Sequence, residues 1–175
     1  MSAYWRISSI SGALIAVYFI PTWTMVAFKI MVSPIHGLYE RPNISVALFI
    51  SDHLQLAGMA TVRMAWLLAL GKLTVAAFFA IFLIFLTRAA LRKGGGAGEA
   101  LAMALAIGSV ISFASMVMAS KVGETAALRL HATELLMLLG TAIVMLTERP
   151  TQAAPQIQRP ASDLSLQQPQ LLDNR

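Results

Sequence analysis

Three side chains able to gain or lose a proton stand inside apolar stretches of this chain: Lys72, His131 and Glu134. Glu134 is the most telling of them. It lies in Leu-Arg-Leu-His-Ala-Thr-Glu-Leu-Leu-Met-Leu-Leu-Gly, and the residues that follow it, to Val144, carry no charge. An ionisable group at the centre of a membrane helix costs roughly 2.5 kcal/mol or more, so such groups face partners and commonly mark a function. His131 and Glu134 are three residues apart and share one helical face, whereas Arg129 points elsewhere, towards headgroups. A histidine beside a carboxylate can relay protons, or act as an oriented ligand for a metal or haem. The simpler use of Lys72 and Glu134 is an ion pair between two helices, with no chemistry implied.

The elements that must hold these residues are membrane helices. Apolar residues make up 58% of the 175 positions and charged residues 12%, with a mean hydropathy of +0.73. Soluble domains carry about 25% charged residues, so an aqueous globular fold is excluded. The net charge of +5 comes mostly from basic residues flanking apolar runs, which fits membrane topology and not nucleic acid. There is no cysteine, which removes disulfides, Cys-ligated zinc and iron–sulfur clusters; no other metal motif is present.

Four segments reach the length of a bilayer crossing, about 20 residues: 10–28, 64–87, 100–119 and 126–146. The first contains Pro21, an expected kink, and ends at Lys29. Its apolar run exceeds a leader h-region and no small-residue cleavage site follows, so cleavage is not expected. The basic cluster Arg88, Arg92 and Lys93 puts the loop between spans two and three on the cytoplasmic side of a bacterial inner membrane, with both termini there as well. The inner connection Gly94-Gly95-Gly96-Ala97-Gly98 reads as a flexible hairpin. On the outer side, Pro34, Gly37 and Pro42 break the first connection and Asn43 is placed to cap a helix from Ile44 towards Leu56. Val46, Ala47, Phe49, Ile50, Leu54 and Ala57 recur there at helical spacing, with Ser45, Asp52 and Gln55 on another side. That pattern describes a short amphipathic interfacial helix, or an N-terminal extension of span two.

The expected fold is therefore an all-α integral membrane protein. It is a four-transmembrane-helix bundle (residues 1–149) with a Pro- and Gln-rich cytoplasmic tail (150–175), disordered alone or ordered by a partner. In span three, Ala104, Gly108 and Ser112 recur every four residues, a small-residue ridge that admits a neighbouring backbone, from this bundle or another subunit. Phe78, Phe79, Phe82 and Phe85 crowd the inner half of span two as core or lipid-facing rings. Lys72 and Glu134 both enter from the outer side, about 7 and 12 Å deep at 1.5 Å per residue.

Three functions follow from this pattern. No His-Glu-x-x-His, Gly-x-Ser-x-Gly or phosphate-binding Gly-x-x-x-x-Gly-Lys motif occurs, so no enzyme is expected. The first reading is an accessory subunit of a larger bacterial inner-membrane complex, energy-converting assemblies among the candidates, whose partners are the lipid bilayer and other membrane subunits. The second is a small redox subunit binding haem b or quinone, with His53 and His131 as ligands. Ala127 four residues before His131 also resembles the short ligand motif of light-harvesting pigment helices, which would make a pigment the cofactor. The third is a small transporter or proton-pathway component using Lys72, His131 and Glu134.

Overall fold

The computed structural model describes residues 7–88 and 96–148. Among these residues six α-helices follow in order: α1 Ile7–Val32, α2 Pro34–Leu38, α3 Ile44–Phe49, α4 Gly58–Thr87, α5 Gly96–Val122 and α6 Thr125–Thr147. A π-helical turn, Ile50–Leu54, prolongs α3. Four of these helices, α1, α4, α5 and α6, are long and apolar enough to cross a membrane. Their lengths of 26, 30, 27 and 23 residues correspond to roughly 35–45 Å. A hydrocarbon core is about 30 Å thick, so the ends reach the headgroup layers.

The chain runs up and down, with α1 packed on α4, α4 on α5, and α5 on α6; a thinner contact between α1 and α6 closes the ring. Two hydrogen bonds stitch that thin seam. The backbone N–H of Ser8, in the first described turn of α1, donates to Glu148 Oε2 at 3.0 Å. At the other level, Trp23 Nε1 donates to Glu134 Oε1 at 3.2 Å. The spacing from Ser8 to Trp23 nearly equals that from Glu134 to Glu148, as two antiparallel helices of equal rise require.

Apolar packing divides into two clusters. One joins α1, α4, α5 and α6 through Ala16, Phe19, Val75, Phe79, Phe82, Leu101, Ala104 and Leu138. Phe79 and Phe82 belong to this core, with the Phe19 ring stacked on Phe79 at 5.8 Å, while Phe78 and Phe85 are only partly buried. The other cluster lies at the opposite end, where Leu38, Val46, Ala47 and Ile50 of the first connection cover Ala27, Ile30, Ala65 and Ala69. Outward faces carry Leu14, Val17, Met25, Leu67, Leu70, Val110, Phe113, Leu136 and Ile143, apolar surface suited to lipid.

The small-residue ridge is used inside the chain. Ala104, Gly108 and Ser112 are all buried, and a Cβ on Gly108 would lie 3.3 Å from Leu138 Cδ1 and 3.5 Å from Val75 Cγ1. The ridge admits α4 and α6 of the same bundle.

Four sequence expectations are corrected. The glycines Gly96 and Gly98 are helical, in the first turn of α5 and not in the hairpin. Gly96 sits against the Phe85 ring, where a Cβ would be 3.3 Å away. The interfacial helix does not show a polar side made of Ser45, Asp52 and Gln55. Ser45 is fully buried, whereas Asp52 and Gln55 are exposed, because α3 turns its first residues into the bundle against α5. The chain leaves that turn through Gln55 in the left-handed region (φ 46°), so the helix is not a continuous extension of span two. Span two itself begins at Gly58, earlier than residue 64, which puts Lys72 about 14 residues, roughly 21 Å, from its end. The tail 150–175, and Gly94, Gly95, Arg92 and Lys93, lie outside the described residues.

Candidate functional site

The residues that bind one another inside the bundle come from α1, α4, α6 and the first connection. Glu134 is central. It is 6% exposed, about 9 residues and roughly 14 Å from the start of α6. Its Oε1 accepts from the Trp23 indole N–H at 3.2 Å. Its Oε2 lies 3.0 Å from His131 Nδ1, a contact set up by the i, i+3 spacing on one helix face. His131 is 2% exposed, and its second ring nitrogen, Nε2, is buried without a protein partner among the described residues.

Lys72 does not pair with Glu134. The ion pairs within 4.0 Å among the described residues are Lys29–Glu40 and His131–Glu134. The Lys72 ammonium, 3% exposed, donates instead to Asn43 Oδ1 at 2.8 Å and lies 5.6 Å from the centre of the Trp23 ring. Trp23 thus stands between the two charges, its π-face to the cation and its N–H to the carboxylate. Each of those contacts is favourable for an indole, so a single aromatic ring couples the charges without direct contact.

Asn43 completes the set. It stands at the N-cap of α3, and its backbone carbonyl accepts from Val46 and Ala47, but its side chain makes no cap bond. The amide reaches inward, with Nδ2 donating to the Gly37 carbonyl at 3.0 Å and Oδ1 accepting from Lys72. Gly37 allows this because α2 lies directly on α1: a Cβ there would be 2.7 Å from the Ile30 backbone. Between the end of α1 and α2 a cavity of about 210 Å³ is lined by Phe28, Lys29, Val32, Ser33, His36, Gly37 and Glu40.

The sequence-predicted residues therefore separate. His131 and Glu134 are in contact, and Lys72 joins them only through Trp23. His53 is exposed on the Ile50–Leu54 turn, its ring stacked on Phe49 at 4.8 Å, and this turn packs mainly on α3. His53 and His131 thus stand in different surroundings, one ring in the surface turn and the other held by the buried carboxylate. No group of three His, Cys, Asp or Glu side chains placed to hold a metal exists among the described residues. Trp23 and Asn43 were missed by sequence reasoning. The signal for Trp23 was an indole N–H in the middle of an apolar span, which needs an acceptor when buried. Asn43 offered no separate signal, since an asparagine before a helix reads as a cap.

The chemistry open to this arrangement follows from donor and acceptor roles. An indole N–H only donates, so Oε1 is an acceptor whether Glu134 is ionised or protonated. Any acid proton on Glu134 is thereby confined to Oε2, on the histidine side. If Glu134 is ionised, Nδ1 carries the hydrogen and Nε2 presents a lone pair. If Glu134 is protonated, Oε2 donates to Nδ1 and Nε2 carries the hydrogen. The two states differ by one proton: its gain at Nε2, with transfer of the Nδ1 hydrogen to Oε2, converts the first into the second without moving either side chain. No family model, curated protein or solved structure matches this chain.

Proposed function

We propose that this multi-pass membrane protein is a proton-handling component, with the His131–Glu134 pair as its proton-exchanging centre. The observation that carries the reading is the buried His131 Nε2. A purely structural pair needs only Nδ1, yet Nε2 is buried with no protein partner among the described residues, where a polar group without any partner costs about 1–3 kcal/mol. In a relay, that nitrogen is the port. A proton arriving at Nε2 gives an imidazolium beside the Glu134 carboxylate, and transfer of the Nδ1 proton to Oε2 leaves neutral histidine and neutral acid. Return of the proton from Oε2 to Nδ1, with loss of a proton from Nε2, restores the carboxylate. Trp23 keeps the carboxylate aimed.

Reconstitution of the full chain in liposomes with an entrapped pH dye and an imposed potassium potential tests this. Proton flux should exceed that of empty liposomes. It should fall about 10²-fold, the scale of a positioned acid–base group, in Glu134→Gln and in His131→Phe, and remain in Lys29→Ala. Flux equal to that of empty liposomes sinks the reading.

A second reading, an accessory subunit of a larger bacterial inner-membrane complex, is favoured by one feature of α6. Gly140 is exposed and open, with nothing within 4 Å of an added Cβ, and it lies between exposed Leu136 and Ile143. A glycine on an outward membrane face suits close approach by another helix. Migration of the chain at its own mass after mild-detergent extraction removes this reading. For orientation, we place the first connection outside and both termini in the cytoplasm. Because the chain lacks cysteine, Asp52→Cys should react with an impermeant maleimide added to intact cells.

A further inference from the structure

Three buried side-chain polar atoms have no protein partner among the described residues: His131 Nε2, Ser112 Oγ and Ser45 Oγ. They belong to α6, α5 and α3, and α5 packs against both of the others. Their levels can be worked out along the helices. Gly108 faces Leu138 across the α5–α6 contact. In an antiparallel pair of equal rise, Ser112, one turn from Gly108 towards Gly123, lies level with Glu134, one turn from Leu138. His131 is the next turn along the same face. Ser45 is two residues beyond Asn43, whose amide holds Lys72 at 2.8 Å, and α3 presses its buried residues onto α5 at this end of the bundle. All three atoms are thus buried where α3 and α6 pack against α5.

The geometry points to an internal hydration site lined by His131 Nε2, Ser112 Oγ and Ser45 Oγ. Buried water typically makes about 3 hydrogen bonds to polar groups that lack other partners, and these three side chains offer that number. A water there donates to the Nε2 lone pair when Nδ1 carries the hydrogen, and accepts from Nε2–H in the alternative state. Serine hydroxyls rotate to donate or accept, so both states are satisfied without repacking. The site supplies the far side of the His131–Glu134 pair with an exchangeable proton. That role rests on the proton-handling reading; occupancy by water does not.

The test is solid-state NMR of the full chain, with ¹⁵N-labelled histidine, in phosphatidylcholine nanodiscs. The His131 ring is assigned by loss of its signal in His131→Phe. Magnetisation should pass from water to the His131 ring. Ser112→Ala, which keeps the space, should retain that transfer, and Ser112→Val, which fills it, should abolish it. Absence of transfer in the unaltered protein overturns the proposal, as does full transfer in Ser112→Val. If Ser112→Val fails to fold, Ser45→Ala replaces it: a shifted Nε2 resonance supports the site and an unmoved one overturns it. Water contact without liposome flux would remove the relay and keep the site, while flux without water contact would remove the site and keep the relay.

Discussion

Coupling of Lys72 and Glu134 through Trp23, not by contact, makes a quantitative prediction. Two unit charges, one over the face of an indole and one at its N–H edge, on the order of 8 Å apart, attract by about 2 kcal/mol at an effective dielectric of about 20. Polar interactions measured between membrane helices run lower, averaging about 0.6 and reaching about 1.7 kcal/mol, so a coupling of about 1–2 kcal/mol is expected. Lys72→Met removes the ammonium and keeps the stem. It loses that coupling, and also strands Asn43 Oδ1, for about 1 kcal/mol more. Glu134→Gln keeps an acceptor for Trp23 but loses the charge, so it forfeits the same coupling. In the double variant the shared loss is counted once, and its destabilisation falls short of the sum of the singles by about 1–2 kcal/mol. Reversible unfolding of the four proteins in bicelles, titrated with dodecyl sulfate and followed by circular dichroism, measures this. Additivity within about 0.5 kcal/mol would refute the reasoning and mean that the ring separates the charges instead of linking them.

Other consequences follow from packing. Gly37→Ala places a Cβ 2.7 Å from the Ile30 backbone, so α2 must lift away, taking with it the carbonyl that holds Asn43. A loss of about 2 kcal/mol is expected, and unchanged unfolding would contradict the close approach. Gly108→Ala meets only the flexible ends of Leu138 and Val75 and should cost less than about 1 kcal/mol, whereas Gly108→Leu overpacks the α4–α5–α6 contact by about 1–3 kcal/mol; equal effects would place the ridge elsewhere. Glu148→Gln weakens the charged hydrogen bond to the Ser8 amide. It should cost about 0.5–1 kcal/mol and speed hydrogen exchange at that amide, and unaltered exchange would argue against the contact.

Sequence pattern alone established the class of molecule, the number of crossings and the His131–Glu134 contact. Each of these is local: a run of apolar residues long enough to span hydrocarbon is readable in one dimension, and residues three apart on a helix meet whatever surrounds them. The partners of the charges were not local. A lysine and a glutamate at similar depth on different helices suggested a direct pair, but depth says nothing of rotation about a helix axis or of what stands between. The tertiary fold turned the Trp23 ring into that space and brought Asn43 in from the connection to hold the ammonium. It also turned the ridge of Ala104, Gly108 and Ser112 inward, a choice between lipid, partner and own bundle that spacing alone leaves open. Periodicity specifies which residues share a face. Only the packing of all the helices at once decides what that face meets, since a buried donor or charge takes the partner that three-dimensional proximity supplies.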